Sequence, residues 1–123
     1  MRKTRWLWFI CATAIASVQS SMAYGHAMLE RAEPAVGSTI EEAPTMVRLH
    51  FSERLEPAFS ALRVEDAAGK TVDRGDTRVD PDDSVVLEVS LPDLPHGKYR
   101  VIWRAVSVDT HVTEGDFTFT VGQ

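Results

Sequence analysis

Apolar and polar residues alternate along most of the chain. Val47, Leu49 and Phe51 are interleaved with Met46, Arg48 and His50, the period of two that turns one face of a strand to a core and the other to water. Leu62 and Val64 begin a second short run, which stops at the turn signal Ala68-Gly69. Residues 71–74 can return from that turn as a strand. Asp80-Pro81-Asp82-Asp83 reads as a polar loop, after which residues 84–90 place Val85, Leu87 and Val89 on one face. Pro92, Pro95 and Gly97 punctuate the next connection. Residues 98–108 form the longest predicted strand, with Tyr99, Val101, Trp103 and Ala105 on one face and Trp103 as a buried core anchor. Gly115 opens a last run, Phe117, Phe119 and Val121 against Asp116, Thr118 and Thr120. No segment carries the i, i+3, i+4, i+7 repeat of an amphipathic helix, so no long helix is expected. About seven short strands with regular turn signals predict an all-β, immunoglobulin-like sandwich.

The N-terminal pattern is of another kind. Arg2, Lys3 and Arg5 precede an apolar stretch over residues 6–18, and a small-residue segment follows over residues 19–25. That order is the signature of a secretory signal peptide, expected here over residues 1–25. The apolar stretch falls short of the roughly 20 residues of a membrane span. No second such stretch follows, so the mature part is read as soluble, with no membrane insertion. Cys11, the only cysteine, lies inside the apolar stretch and is read as a plain hydrophobic residue. Two cleavage points compete. Ala23-Tyr24-Gly25 permits a cut that leaves His26 first, and Ser21-Met22-Ala23 permits one that leaves Tyr24 first. The small-residue rule slightly favours the second, because alanine is the commoner residue at the cut.

A cut before His26 leaves 123 − 25 = 98 residues, residues 26–123. That is one domain, near the small end of what a single core supports. It contains no cysteine, so neither a disulfide nor a thiolate metal ligand is available. All 18 acidic residues fall in this part, but only 10 of the 13 basic ones, for a formal charge of 10 − 18 = −8. That balance argues against nucleic acid or an anionic membrane surface as partner and mildly favours a cation.

The candidate chemistry lies in four histidines, His26, His50, His96 and His111. His96, in Pro95-His96-Gly97, reads as an exposed turn residue, and His50 as a rim residue beside Arg48 and Ser52. His111 belongs to Asp109-Thr110-His111, directly after the longest strand. In extended chain residues i and i+2 face the same side, so a carboxylate and an imidazole can share a point. If the chain is cut before His26, that residue adds both an α-amino group and an imidazole. Amine, two imidazoles and a carboxylate make a three-nitrogen, one-oxygen set, which in tetragonal arrangement suits Cu(II). Zinc can use the same donors but prefers a tetrahedron.

These residues sit inside a wider pattern. His26-Ala27-Met28-Leu29 is followed by Glu33-Pro34-Ala35-Val36-Gly37-Ser38 and by Leu49-His50-Phe51-Ser52-Glu53. Residues 97–111 then carry Trp103-Arg104, Ser107, Asp109 and His111, and Gly115-Asp116-Phe117-Thr118-Phe119 closes the series. The chain from His26 to Val121 resembles the bacterial periplasmic copper-resistance protein CopC family. The resemblance implies a seven-stranded Greek-key β-sandwich that binds copper as Cu(II). It implies His26 as a ligand through amine and side chain, Asp109 and His111 as the other two, and Glu53 as an axial or more distant group. Some members of that family carry a methionine-rich loop that holds Cu(I). Residues 67–84 here have neither methionine nor histidine, and Met28 and Met46 are read as packing residues. One Cu(II) site and no dedicated Cu(I) site are expected.

The function that follows is a monomeric periplasmic protein, not an enzyme, that buffers or carries copper in homeostasis and resistance, with an inner-membrane copper transporter as a possible partner. Two alternatives remain. A histidine that chelates copper through its own amine is also similar to the site of lytic polysaccharide monooxygenases, an enzyme class that oxygen consumption with a reductant would reveal. A metal-free immunoglobulin-like structural module would take up no copper at all.

Overall fold

The computed structural model describes residues 26–122. The predicted signal peptide, Tyr24 with its alternative cleavage point, and Cys11 lie outside the described residues. Eight strands occur: β1 (Leu29–Glu33), β2 (Thr39–Ile40), β3 (Met46–Phe51), β4 (Ala61–Glu65), β5 (Arg78–Asp80), β6 (Asp83–Ser90), β7 (Gly97–Val106) and β8 (Val112–Val121). There is no helix among the described residues. The strands form two four-stranded sheets, ordered β1-β3-β6-β5 and β2-β8-β7-β4. Pairing is antiparallel except between β2 and β8.

The alternation in the sequence becomes a two-layer core. Val47, Leu49, Phe51, Leu87 and Val89 from the first sheet join Leu62, Val64, Val101, Phe117 and Phe119 from the second in one buried cluster. Burying apolar area at roughly 25 cal/mol per Å² is what holds two such sheets together. The other face of β6 is closed as well. Glu88 is buried there beneath Arg48 (3.3 Å) and Arg78 (3.0 Å).

Several expectations change. The described residues hold eight strands instead of seven. The strands that the pattern does not announce are β1, in which only Ala32 is buried, the three half-buried residues of β5, and the two-residue β2. None has an apolar repeat to read. Residues 71–74 give only an isolated bridge between Glu65 and Thr71. The Asp73 carboxylate there accepts the Val64 amide at 2.8 Å, so a side chain finishes the edge of β4. β8 begins at Val112, with Gly115 inside it, paired to Trp103. Trp103 is half-buried, not a buried anchor. Its ring meets Phe51 across the sandwich, centroids 5.1 Å apart, and covers Gly115 so closely that a Cβ there would stand 2.5 Å from its Cζ2.

Candidate metal centre

β7 and β8 are joined by residues 107–111, and this turn carries two of the three predicted ligands. Ser107 organises it. Its side chain is buried, and its backbone bridges to Leu55. Its amide donates to the His111 carbonyl (3.0 Å), and its own carbonyl accepts from the Thr110 amide (2.9 Å). Its hydroxyl donates to Asp109 Oδ1. Thr110 is the one non-glycine residue with positive φ (72°) among the described residues. The left-handed residue reverses the chain, so Asp109 and His111 are brought together by a tight turn, not by extended backbone as the spacing suggested. They do meet, with Asp109 Oδ2 3.3 Å from His111 Nδ1. The Ser107 hydroxyl, helped by His111 and opposed by burial, holds the Asp109 carboxyl below the usual carboxylate range. An anionic oxygen ready at neutral pH is what a hard cation needs.

The third predicted ligand comes from the opposite end of the chain. His26 is exposed, but Ala27 after it is wholly buried. The His26 carbonyl accepts from the Ser52 hydroxyl (3.1 Å), and that hydroxyl oxygen in turn accepts from the Met28 amide (2.9 Å). The Ala27 carbonyl accepts from the Thr113 hydroxyl (2.7 Å). These contacts bring the His26 ring to the His111 ring, edge to face, with centroids 4.8 Å apart. His26, Asp109 and His111 thus gather at one end of the sandwich. In the uncut chain the nitrogen of His26 is a peptide nitrogen. No group of three His, Cys, Asp or Glu side chains forms a ready metal cage among the described residues. The donor chemistry present, two imidazoles and an ionised carboxylate, is of the nitrogen-and-oxygen kind that suits copper.

The other candidates separate from this centre. Glu53 is half-buried, one residue beyond Ser52. His96 is exposed in the turn before β7, as its sequence context suggests. His50 lies on the outer face of its sheet with only 17% of its side chain exposed. Arg31 Nη2 is 3.3 Å and 3.0 Å from its two ring nitrogens, with Glu33 at 3.6 Å. These neighbours occupy His50 on the outer face of its sheet, away from His26 and His111. Met28 is 60% exposed and does not pack as expected, whereas Met46 is half-buried at the start of β3. Sequence reasoning missed the hydroxyls of Ser52, Ser107 and Thr113. The one available signal was that two of them stand within two residues of a predicted ligand.

A two-sheet sandwich with imidazoles and a carboxylate gathered at one open end defines a class of small β-proteins with a nitrogen-and-oxygen candidate metal centre. Residues 29–122 match the CopC domain model, and the chain belongs to the CopC family. The match begins three residues after His26. The chain is similar to copper resistance protein C of Pseudomonas syringae pv. tomato, at 35% identity over 92% of this chain and 94% of that one. It is 30% identical to the copper transport protein CutJ of Bacillus subtilis over 100% of its own length, but spans only 23% of that protein. The crystal structure of CopC from Methylosinus trichosporium OB3b superposes with a TM-score of 0.74 at 34% identity, covering 79% of this chain and 94% of that chain.

Proposed function

We propose that the protein is exported, is cut before His26, and holds one Cu(II) ion in the periplasm as a buffer or carrier in copper homeostasis, without catalysing a reaction. His26 supplies amine and imidazole nitrogens, His111 an imidazole nitrogen and Asp109 a carboxylate oxygen, with Glu53 as an outlying group. The observation that carries this reading is the approach of His26, a potential chain terminus, to His111 and Asp109 at one end of the fold. In this reading there is no dedicated Cu(I) site, because the two methionines among the described residues are far apart. The carbonyl of Met28 accepts from the Ser52 amide beyond one end of β3, whereas Met46 starts the other end. At about 3.3 Å per residue the two methionines' backbones stand roughly 20 Å apart along the sheet.

The reading has a direct test. Intact mass of the exported protein should place His26 first. Competition titration should give one Cu(II) per chain. His111→Ala and Asp109→Ala should each weaken binding by about tenfold or more, the scale of a lost charged or coordinating contact, with little change in melting midpoint. A protein that starts at Tyr24, or a His111→Ala variant with unchanged Cu(II) spectrum and affinity, would refute the ligand set.

A further inference from the structure

We infer that Ser52 and Thr113 are positioning residues for the copper centre, their hydroxyls clamping the first backbone units of the mature chain so that His26 is aimed at His111. The inference rests on the reading of His26 as terminal ligand. Chain termini are ordinarily where a domain frays. Here the terminus is held on both sides. Ala27 is wholly buried between exposed His26 and exposed Met28. Ser52 reaches this segment from the end of β3 through three hydrogen bonds. Its hydroxyl donates to the His26 carbonyl (3.1 Å) and accepts from the Met28 amide (2.9 Å), and its amide donates to the Met28 carbonyl (2.9 Å). Thr113 reaches it from β8, in the other sheet, and donates its hydroxyl to the Ala27 carbonyl at 2.7 Å.

The carbonyls of the first two residues are therefore each tied to a different sheet. Three of the four hydrogen bonds are made by the side-chain hydroxyls of Ser52 and Thr113, outside the strand ladders, so they can be removed while the strands stay intact. With the peptide units fixed, closing a chelate on His26 requires ordering only its terminal amine and its side-chain torsions. Without them the ion would also have to order the backbone it hangs from, a cost of about tenfold in affinity for each residue left loose.

The test compares Ser52→Ala, Thr113→Val and the double variant with the conservative Ser52→Thr and Thr113→Ser, all as exported protein. Cu(II) competition titration should show each single loss binding about fivefold to tenfold more weakly, the scale of one hydrogen bond's preorganisation. Thr and Ser replacements should restore most of that loss, which a merely structural defect would not allow. Electron paramagnetic resonance of the saturated variants should keep the parent's nitrogen hyperfine pattern, since the ligands are unchanged. A copper-free arm decides the clamp separately: under aminopeptidase, followed by mass, the double variant should lose His26 and Ala27 much faster than the parent. Variants that trim no faster than the parent and bind Cu(II) within about twofold of it would overturn the inference. If an extra residue before His26 leaves the parent's copper binding unchanged, the copper reading fails, and the trimming arm still judges the clamp.

Discussion

Asp76 shows how far this domain relies on side chains to complete its backbone. Its Oδ1 accepts the Ser90 amide at 2.8 Å, and its Oδ2 accepts Arg78 at 3.0 Å. The hydrogen bonds from Ser90, joined by the Arg78 charge and opposed by burial, hold its carboxyl below the usual carboxylate range. A carboxylate whose folded pKa is depressed stabilises the fold above its unfolded value, and that stability is lost as pH falls through the folded value. Asp76→Asn should therefore lower the melting midpoint at neutral pH, and the gap to the parent should close in the acid range below 3.8. Thermal melts of both proteins across that range check it; a constant gap would show that charge is not the cause. Asp109 follows the same logic through Ser107. Asp109 and His111 were legible in the sequence because a carboxylate and an imidazole two residues apart can be recognised as donors. Ser52, Ser107 and Thr113 were not, because a hydroxyl has no periodic signature and its partners are backbone groups brought near only by folding.

Among the elements, strands with an inward apolar repeat were legible, and β3, β6 and β7 match the pattern within a residue or two. β1 and β5 were hidden because one is pinned largely by its pairing with β3 and the other by its pairing with β6. The start of β8 was misplaced because glycine ordinarily marks a break. Gly115 instead makes room within the strand for the Trp103 ring. A Cβ at 115 would meet that ring at 2.5 and 2.8 Å. Phe51 backs the ring, which limits how far it can yield. Gly115→Ala should cost about 1–3 kcal/mol, the range of overpacking, and shift the Trp103 fluorescence. Trp103→Ala should cost about 2 kcal/mol, below the roughly 3–5 of a fully buried aromatic, since the ring is half-buried. Denaturant melts decide both values, and an unperturbed Gly115→Ala would mean the hairpin spreads freely.

On the scale of the whole molecule, the candidate centre sits where the two sheets end together. His26 leads into β1 and is held by Ser52 after β3, both belonging to the first sheet. Asp109 and His111 lie in the β7–β8 turn of the second. No cysteine exists among the described residues to join the layers covalently. An ion bound by all three residues would do so, closing a loop of about 80 residues between His26 and Asp109, a length at which a crosslink strongly restricts the unfolded chain. Free Cu(II) at about 100 times its Kd should raise stability by about 2.7 kcal/mol, and a chelator should remove the gain. At the same copper concentration, a tenfold weaker His111→Ala should keep only about half of that shift, roughly 1.4 kcal/mol, in a thermal melt; a full shift in the variant would mean that the ion is held on one sheet alone. Copper would then be a reversible rivet, and the lifetime of the folded protein among proteases would rise and fall with the copper supply around it.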